Sequence, residues 1–69
     1  MFRIVINFGS LEAAARNLPR IDGLVARTDD TVSRGGHLIE VLTAHPEKFV
    51  ASFFENGYTD TFTCQEELV

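Results

Sequence analysis

The chain has 69 residues, a single cysteine and a formal net charge of −4, with 45% apolar and 23% charged residues. That length allows one domain, 1–69, which buries only about 60% of its unfolded surface, so its stability is thin and an oligomer or a tight partner is a natural remedy. The apolar content excludes a disordered chain, and six Lys and Arg against ten Asp and Glu argue against direct nucleic-acid binding, which needs cations to replace counterions at phosphates.

The charge is laid out unevenly. Residues 1–39 carry five Arg against four acids, whereas the half 40–69 sets Lys48 against Glu40, Glu47, Glu55, Asp60, Glu66 and Glu67. The lone Cys64 forms no internal disulfide, which points to a reducing, cytoplasmic setting. Arg3 ahead of Ile4-Val5-Ile6, with Ala13-Ala14-Ala15 beyond, has the outline of an export signal. Asn7 and Gly9 cut that apolar run short and Glu12 adjoins the alanines, so no signal is expected. No stretch approaches the roughly 20 apolar residues of a membrane helix.

Phe2 to Phe8 alternates Phe2, Ile4, Ile6 and Phe8 against Arg3, Val5 and Asn7, the period of a strand with one buried face. Gly9 turns the chain and Ser10 is placed as an N-cap, with Glu12 in the first turn. Leu11, Ala14, Ala15 and Leu18 share one side of a short helix over 11–18, which Pro19 is expected to stop. Leu24 to Thr28 reads as a strand running into an Asp29-Asp30 turn, and Thr31 to Arg34 as another, closed by Gly35-Gly36 as a hairpin.

His37 to Ala44 fits either a strand buried on both sides or a helix ended by His45-Pro46. The strand is preferred, because it joins a meander of short adjacent connections. Lys48 to Cys64 is expected to be a β-hairpin about Asn56-Gly57. It would set Phe49, Ala51, Phe53, Phe62 and Cys64 on a core face, and Val50, Ser52, Phe54, Thr59, Thr61 and Thr63 on a half-wet face. A competing reading makes Pro46 to Asn56 a helix with Gly57 just past its end. Gln65-Glu66-Glu67 reads as a solvated tail. The fold class is therefore α+β, a single small antiparallel, meander-rich sheet carrying one helix, with second and third helices at 37–45 and 46–56 as the alternative.

No catalytic, metal or cofactor signature emerges, and no enzyme is expected. His37, His45 and Cys64 lack the short spacings of a zinc site, and a strand cysteine is ordinarily inert packing. Gly9-Ser10 has no accompanying GxGxxG or Walker lysine, and one Arg34-Gly35-Gly36 is more economically a turn than an RNA motif. Glu55 and Asp60 have no pocket that would make them an acid/base pair.

What remains is a joint feature: an acidic half whose half-wet face carries Val50, Phe54 and Tyr58, the composition of an interface. Compact acidic domains of this size include phage and mobile-element inhibitors, the anti-CRISPR class among them, although no motif here matches a named family of that class. The expectation is an inhibitor or regulator docking on a basic, nucleic-acid-binding surface of a partner protein. Glu47, Glu55, Asp60, Glu66 and Glu67 would steer and Phe54 and Tyr58 would anchor. The alternative is a homo-oligomeric structural or regulatory subunit without enzymatic activity, a homodimer being the simplest case.

Overall fold

The computed structural model describes residues 1–58 and 60–69. Six elements follow in the order β1 (Phe2–Asn7), α1 (Leu11–Val25), β2 (Thr31–Gly35), β3 (Leu38–Thr43), α2 (Pro46–Glu55) and β4 (Thr63–Leu68). The strands form one antiparallel sheet in the order β2-β3-β1-β4. This β-α-β-β-α-β chain is the split βαβ, or ferredoxin-like, topology, a scaffold that hosts many unrelated functions.

β1 forms as its alternation requires. Ile4 and Ile6 are wholly buried beneath the helices, and Val41 and Ile39 oppose them from β3. Gly9 takes φ +78 to turn the chain, and the Ser10 side chain caps α1 by accepting from the Ala13 N–H at 3.1 Å. α1 does not stop at 18: it runs through Pro19 to Val25. The apolar stripe explains why, since Ala14, Leu18, Ile21 and Val25 continue at i, i+4, i+7 and i+11 and are buried or half-buried on the sheet. Pro19 and Ala15 lie on the exposed side, where the hydrogen bond that Pro19 cannot give falls next to solvent. The expected strand at 24–28 is consequently the last turn of α1 and its exit.

β2 and β3 pair as a hairpin with Gly36-His37 as its two-residue loop. Gly36 has φ +63, the conformation a type II′ turn requires at its first central position. Residues 38–43 are a strand, as preferred over the helix. The preferred hairpin at 48–64 is replaced by α2, the competing helix over 46–56, so two helices rather than one cover the sheet, and among the described residues β2–β3 is the one turn that joins neighbouring strands. Pro46 opens α2 at its first turn, where its missing N–H costs nothing. Phe49 and Phe53, one turn apart, are both buried with rings 6.0 Å from each other. Asn56-Gly57 ends this helix instead of turning two strands. The Asn56 N–H donates to the Phe53 carbonyl at 3.2 Å, its Nδ2 donates to the Ser52 carbonyl at 2.8 Å, and Gly57 takes φ +62.

The C-terminal segment, expected as a solvated tail, is edge strand β4. It pairs with β1 from Asn7↔Thr63 to Phe2↔Leu68. Both helices pack on one side of the sheet. The other side, displaying Arg3, Val5, Leu38, Glu40, Leu42 and Glu67, carries no helix among the described residues. Of the expected half-wet face, Thr59 lies outside the described residues.

Candidate functional site

The aromatic residues converge where β1 ends, α2 ends and β4 begins. Phe53 is wholly buried, with Tyr58, Phe62 and Phe54 at ring distances of 4.3, 4.9 and 5.5 Å. Phe8 closes the cluster against Phe62 at 5.8 Å and Tyr58 at 6.4 Å. Tyr58 is thus a half-buried member of the core rather than a projecting anchor. Burial raises its phenol pKa, partly opposed by Arg20, whose guanidinium carbon lies 5.6 Å from the ring centre.

Asp60 is committed inside the molecule as well. Arg16 binds it bidentately, Nη2 donating to Oδ1 at 2.8 Å and Nε to Oδ2 at 3.1 Å. Asn17, only 3% exposed, donates Nδ2 to Asp60 Oδ2 at 2.8 Å and to the Ala13 carbonyl at 2.7 Å. The hydrogen bonds from Arg16 and then Asn17 hold the Asp60 carboxyl down at about 2. Arg20 adds a long bond of 3.5 Å to the Gly57 carbonyl. Together these three residues fasten the segment after α2 to α1. Sequence alone gives them no role. Their signal is the i, i+4 spacing of Arg16 and Arg20 facing an acidic partner, which becomes legible only once α1 continues past Pro19.

Phe54 stands apart from the other rings in being 56% exposed, while its ring still touches Phe62 at 5.7 Å. On α2 it shares a side with Glu47 and half-buried Val50, at i, i+3 and i+7, and exposed Glu55 follows it. On β4, Cys64 and Glu66 oppose Ile6 and Ile4, so both stand on the helix-bearing side of the sheet. Burial, then the charge of Glu66, raises the Cys64 thiol. Glu47, Glu55 and Glu66 make no ion pair among the described residues, so their charge is uncompensated at close range.

Glu67 lies on the opposite, helix-free side. Arg3 Nη1 reaches it at 3.2 Å and comes within 4.0 Å of Glu40 through Nε. The expected set therefore divides in three: Glu47, Phe54, Glu55 and Glu66 about the outer side of α2 and the helix-bearing side of β4, Tyr58 and Asp60 in internal contacts, and Glu67 across the sheet. His37 and His45 sit in separate loops, and no group of three or more His, Cys, Asp or Glu among the described residues is placed to hold a metal. Among the described residues no helix is long and apolar enough to cross a membrane. The chain matches no protein-family model, no curated protein and no solved structure.

Proposed function

We propose that the chain is a small binding protein that docks its Phe54 edge on a basic, nucleic-acid-binding surface of a partner protein and blocks it. The observation that carries this reading is the exposure of Phe54. A large aromatic ring that continues the core cluster yet remains over half exposed presents a rigid apolar anchor, since its orientation is already set by Phe53 and Phe62. Unpaired Glu47 and Glu55 on α2, with Glu66 on the helix-bearing side of β4, supply negative charge, which favours a cationic partner and speeds encounter. Direct nucleic-acid binding is not favoured. RNA-binding sheets of comparable layout stack bases on aromatic side chains, whereas the central strands here offer Arg3, Val5, Asn7, Leu38, Glu40 and Leu42 on the helix-free side.

The test is capture from host lysate with the full chain, followed by measured binding of the captured protein. A partner that binds nucleic acid, loses it on adding the chain, and binds Phe54→Asp at least about 30-fold more weakly supports the reading, this being the loss expected of an interface anchor. Equal binding by Phe54→Asp and by the double variant Glu47→Lys, Glu66→Lys removes it.

A second reading, a homodimer through the helix-free sheet face, has its own observation. Leu42 is 38% exposed there beside half-buried Leu38 and Val5. Sedimentation equilibrium distinguishes the two: Leu42→Glu dissociates a sheet-face dimer and leaves the Phe54 edge intact.

A further inference from the structure

β1 leads from Met1 to Phe8, so the aromatic cluster occupies one end of the sheet. At the other end a cleft of about 510 Å³ opens between the end of α1 and the start of α2. Its floor is apolar: buried Phe49 and half-buried Leu24, with Met1 and Ala44 beside them. One wall is the exit from α1 and carries Asp29 and Asp30. The other is the start of α2 and carries His45 and Lys48.

Both walls are held by the protein itself. The Thr28 hydroxyl donates to the Val25 carbonyl at 3.2 Å and accepts from the Asp30 N–H at 3.2 Å. The Thr43 hydroxyl accepts from the His45 N–H at 3.0 Å. Yet among the described residues no ion pair joins Asp29 or Asp30 to Lys48 or His45. Opposite charges are thus set apart over an apolar floor.

A simple anion would be repelled by the two aspartates, and a simple cation would leave Lys48 without a partner. A metal ion is poorly served, since no three or more ligating side chains gather among the described residues. A ligand with charges of both signs on an apolar body satisfies every wall, and the volume lies in the ordinary range of small-molecule sites. We propose that this cleft binds a free amino acid with an apolar side chain. The ammonium faces Asp29 and Asp30, the carboxylate faces Lys48, and the side chain lies on Phe49 and Leu24. The site is independent of the Phe54 edge, because Lys48, Phe49 and Ser52 project from α2 on a different side from Glu47, Val50 and Phe54.

The test is an NMR titration of the ¹⁵N-labelled full chain with L-leucine, with isoamylamine, which lacks the carboxylate, and with 4-methylpentanoate, which lacks the ammonium. Leucine is expected to give saturable shifts in the millimolar range centred on Leu24, Asp29, Asp30, Lys48 and Phe49. Each half-ligand should bind at least about tenfold more weakly. Lys48→Gln should erase the advantage of leucine over isoamylamine, and Asp29→Asn with Asp30→Asn its advantage over the acid. These exposed or half-exposed positions leave the core untouched, so folded spectra are expected from every variant. Absence of saturable shifts, shifts centred elsewhere, or half-ligands that match leucine overturn the assignment.

Discussion

Phe53 is the residue on which the packing of the aromatic end converges, and Phe53→Ala measures what that convergence contributes. The side chain is wholly buried and lies within 6.0 Å, centre to centre, of Phe49, Phe54, Tyr58 and Phe62. Truncating a buried Phe to Ala costs about 3–5 kcal/mol through lost transfer energy and the cavity left behind. At about 0.05–0.15 kcal/mol per residue, a domain of this length has about 3–10 kcal/mol in total, so the variant loses between about a third of its stability and all of it. With a urea slope of about 1 kcal/mol per molar, the midpoint moves down by about 3–5 M. Urea titration followed by circular dichroism and by fluorescence of Tyr58 reads this directly, since the chain has one Tyr and no Trp. Phe53→Leu, which keeps more of the volume, provides a folded reference with a smaller shift. Phe54→Ala, one residue on but exposed, is expected to cost under about 1 kcal/mol. Equal costs for Phe53→Ala and Phe54→Ala, or a loss below about 1 kcal/mol for Phe53→Ala, would refute the placement of α2.

Other outcomes follow from the same contacts. Asp60 sits at about 2 in the folded chain against 3.8 for an unperturbed carboxyl. A folded value below the unfolded one means that its stabilisation is complete above about pH 4 and is lost as the pH falls through that window to about 2. Asp60→Asn should therefore lower the melting temperature at pH 6 and flatten its fall between those pH values, and an unchanged acid limb would contradict the Arg16–Asp60–Asn17 cluster. Gly57→Ala should cost about 1–2 kcal/mol in denaturant titration, because φ +62 strains an L side chain even though the space around Gly57 is open. Cys64 should react with iodoacetamide at pH 8 more slowly in the folded chain than in urea, since burial and Glu66 raise its thiol; equal rates would place it at the open surface.

Much of the fold was legible in the sequence where one physical signal acted alone. The alternation of Phe2 to Phe8 yields β1, Ser10 caps α1, and a glycine turn closes β2 on β3, although Gly35 pairs with Leu38 and the loop is Gly36-His37, one residue later than the expected Gly35-Gly36. Legibility failed where a strong local rule met a stronger tertiary one. Pro19 reads as a stop, yet Ile21 and Val25 carry the buried stripe beyond it. Asn56-Gly57 reads as a hairpin turn, but the same positive φ at glycine ends a helix, and the i, i+4 pair Phe49 and Phe53 decides for the helix. β4 is hidden because an edge strand with one neighbour tolerates acids and does not need the alternation of a central strand. Of the candidate site, Phe54 and its acidic surroundings could be named from composition. The internal roles of Tyr58, Asp60 and Glu67 could not, because Arg16, Arg20 and Arg3 approach them only across the folded chain.

Photo-crosslinking from position 54 tests the docking surface most directly. A benzophenone-bearing aromatic residue replaces Phe54 in the full chain, which is irradiated in host lysate at low and high salt, with the same group at position 42 as the comparison. Docking through the Phe54 edge predicts an adduct from position 54 to one protein with a basic, nucleic-acid-binding surface, weakened by salt and absent from position 42. No adduct from position 54, or one only to a second copy of the chain, contradicts it.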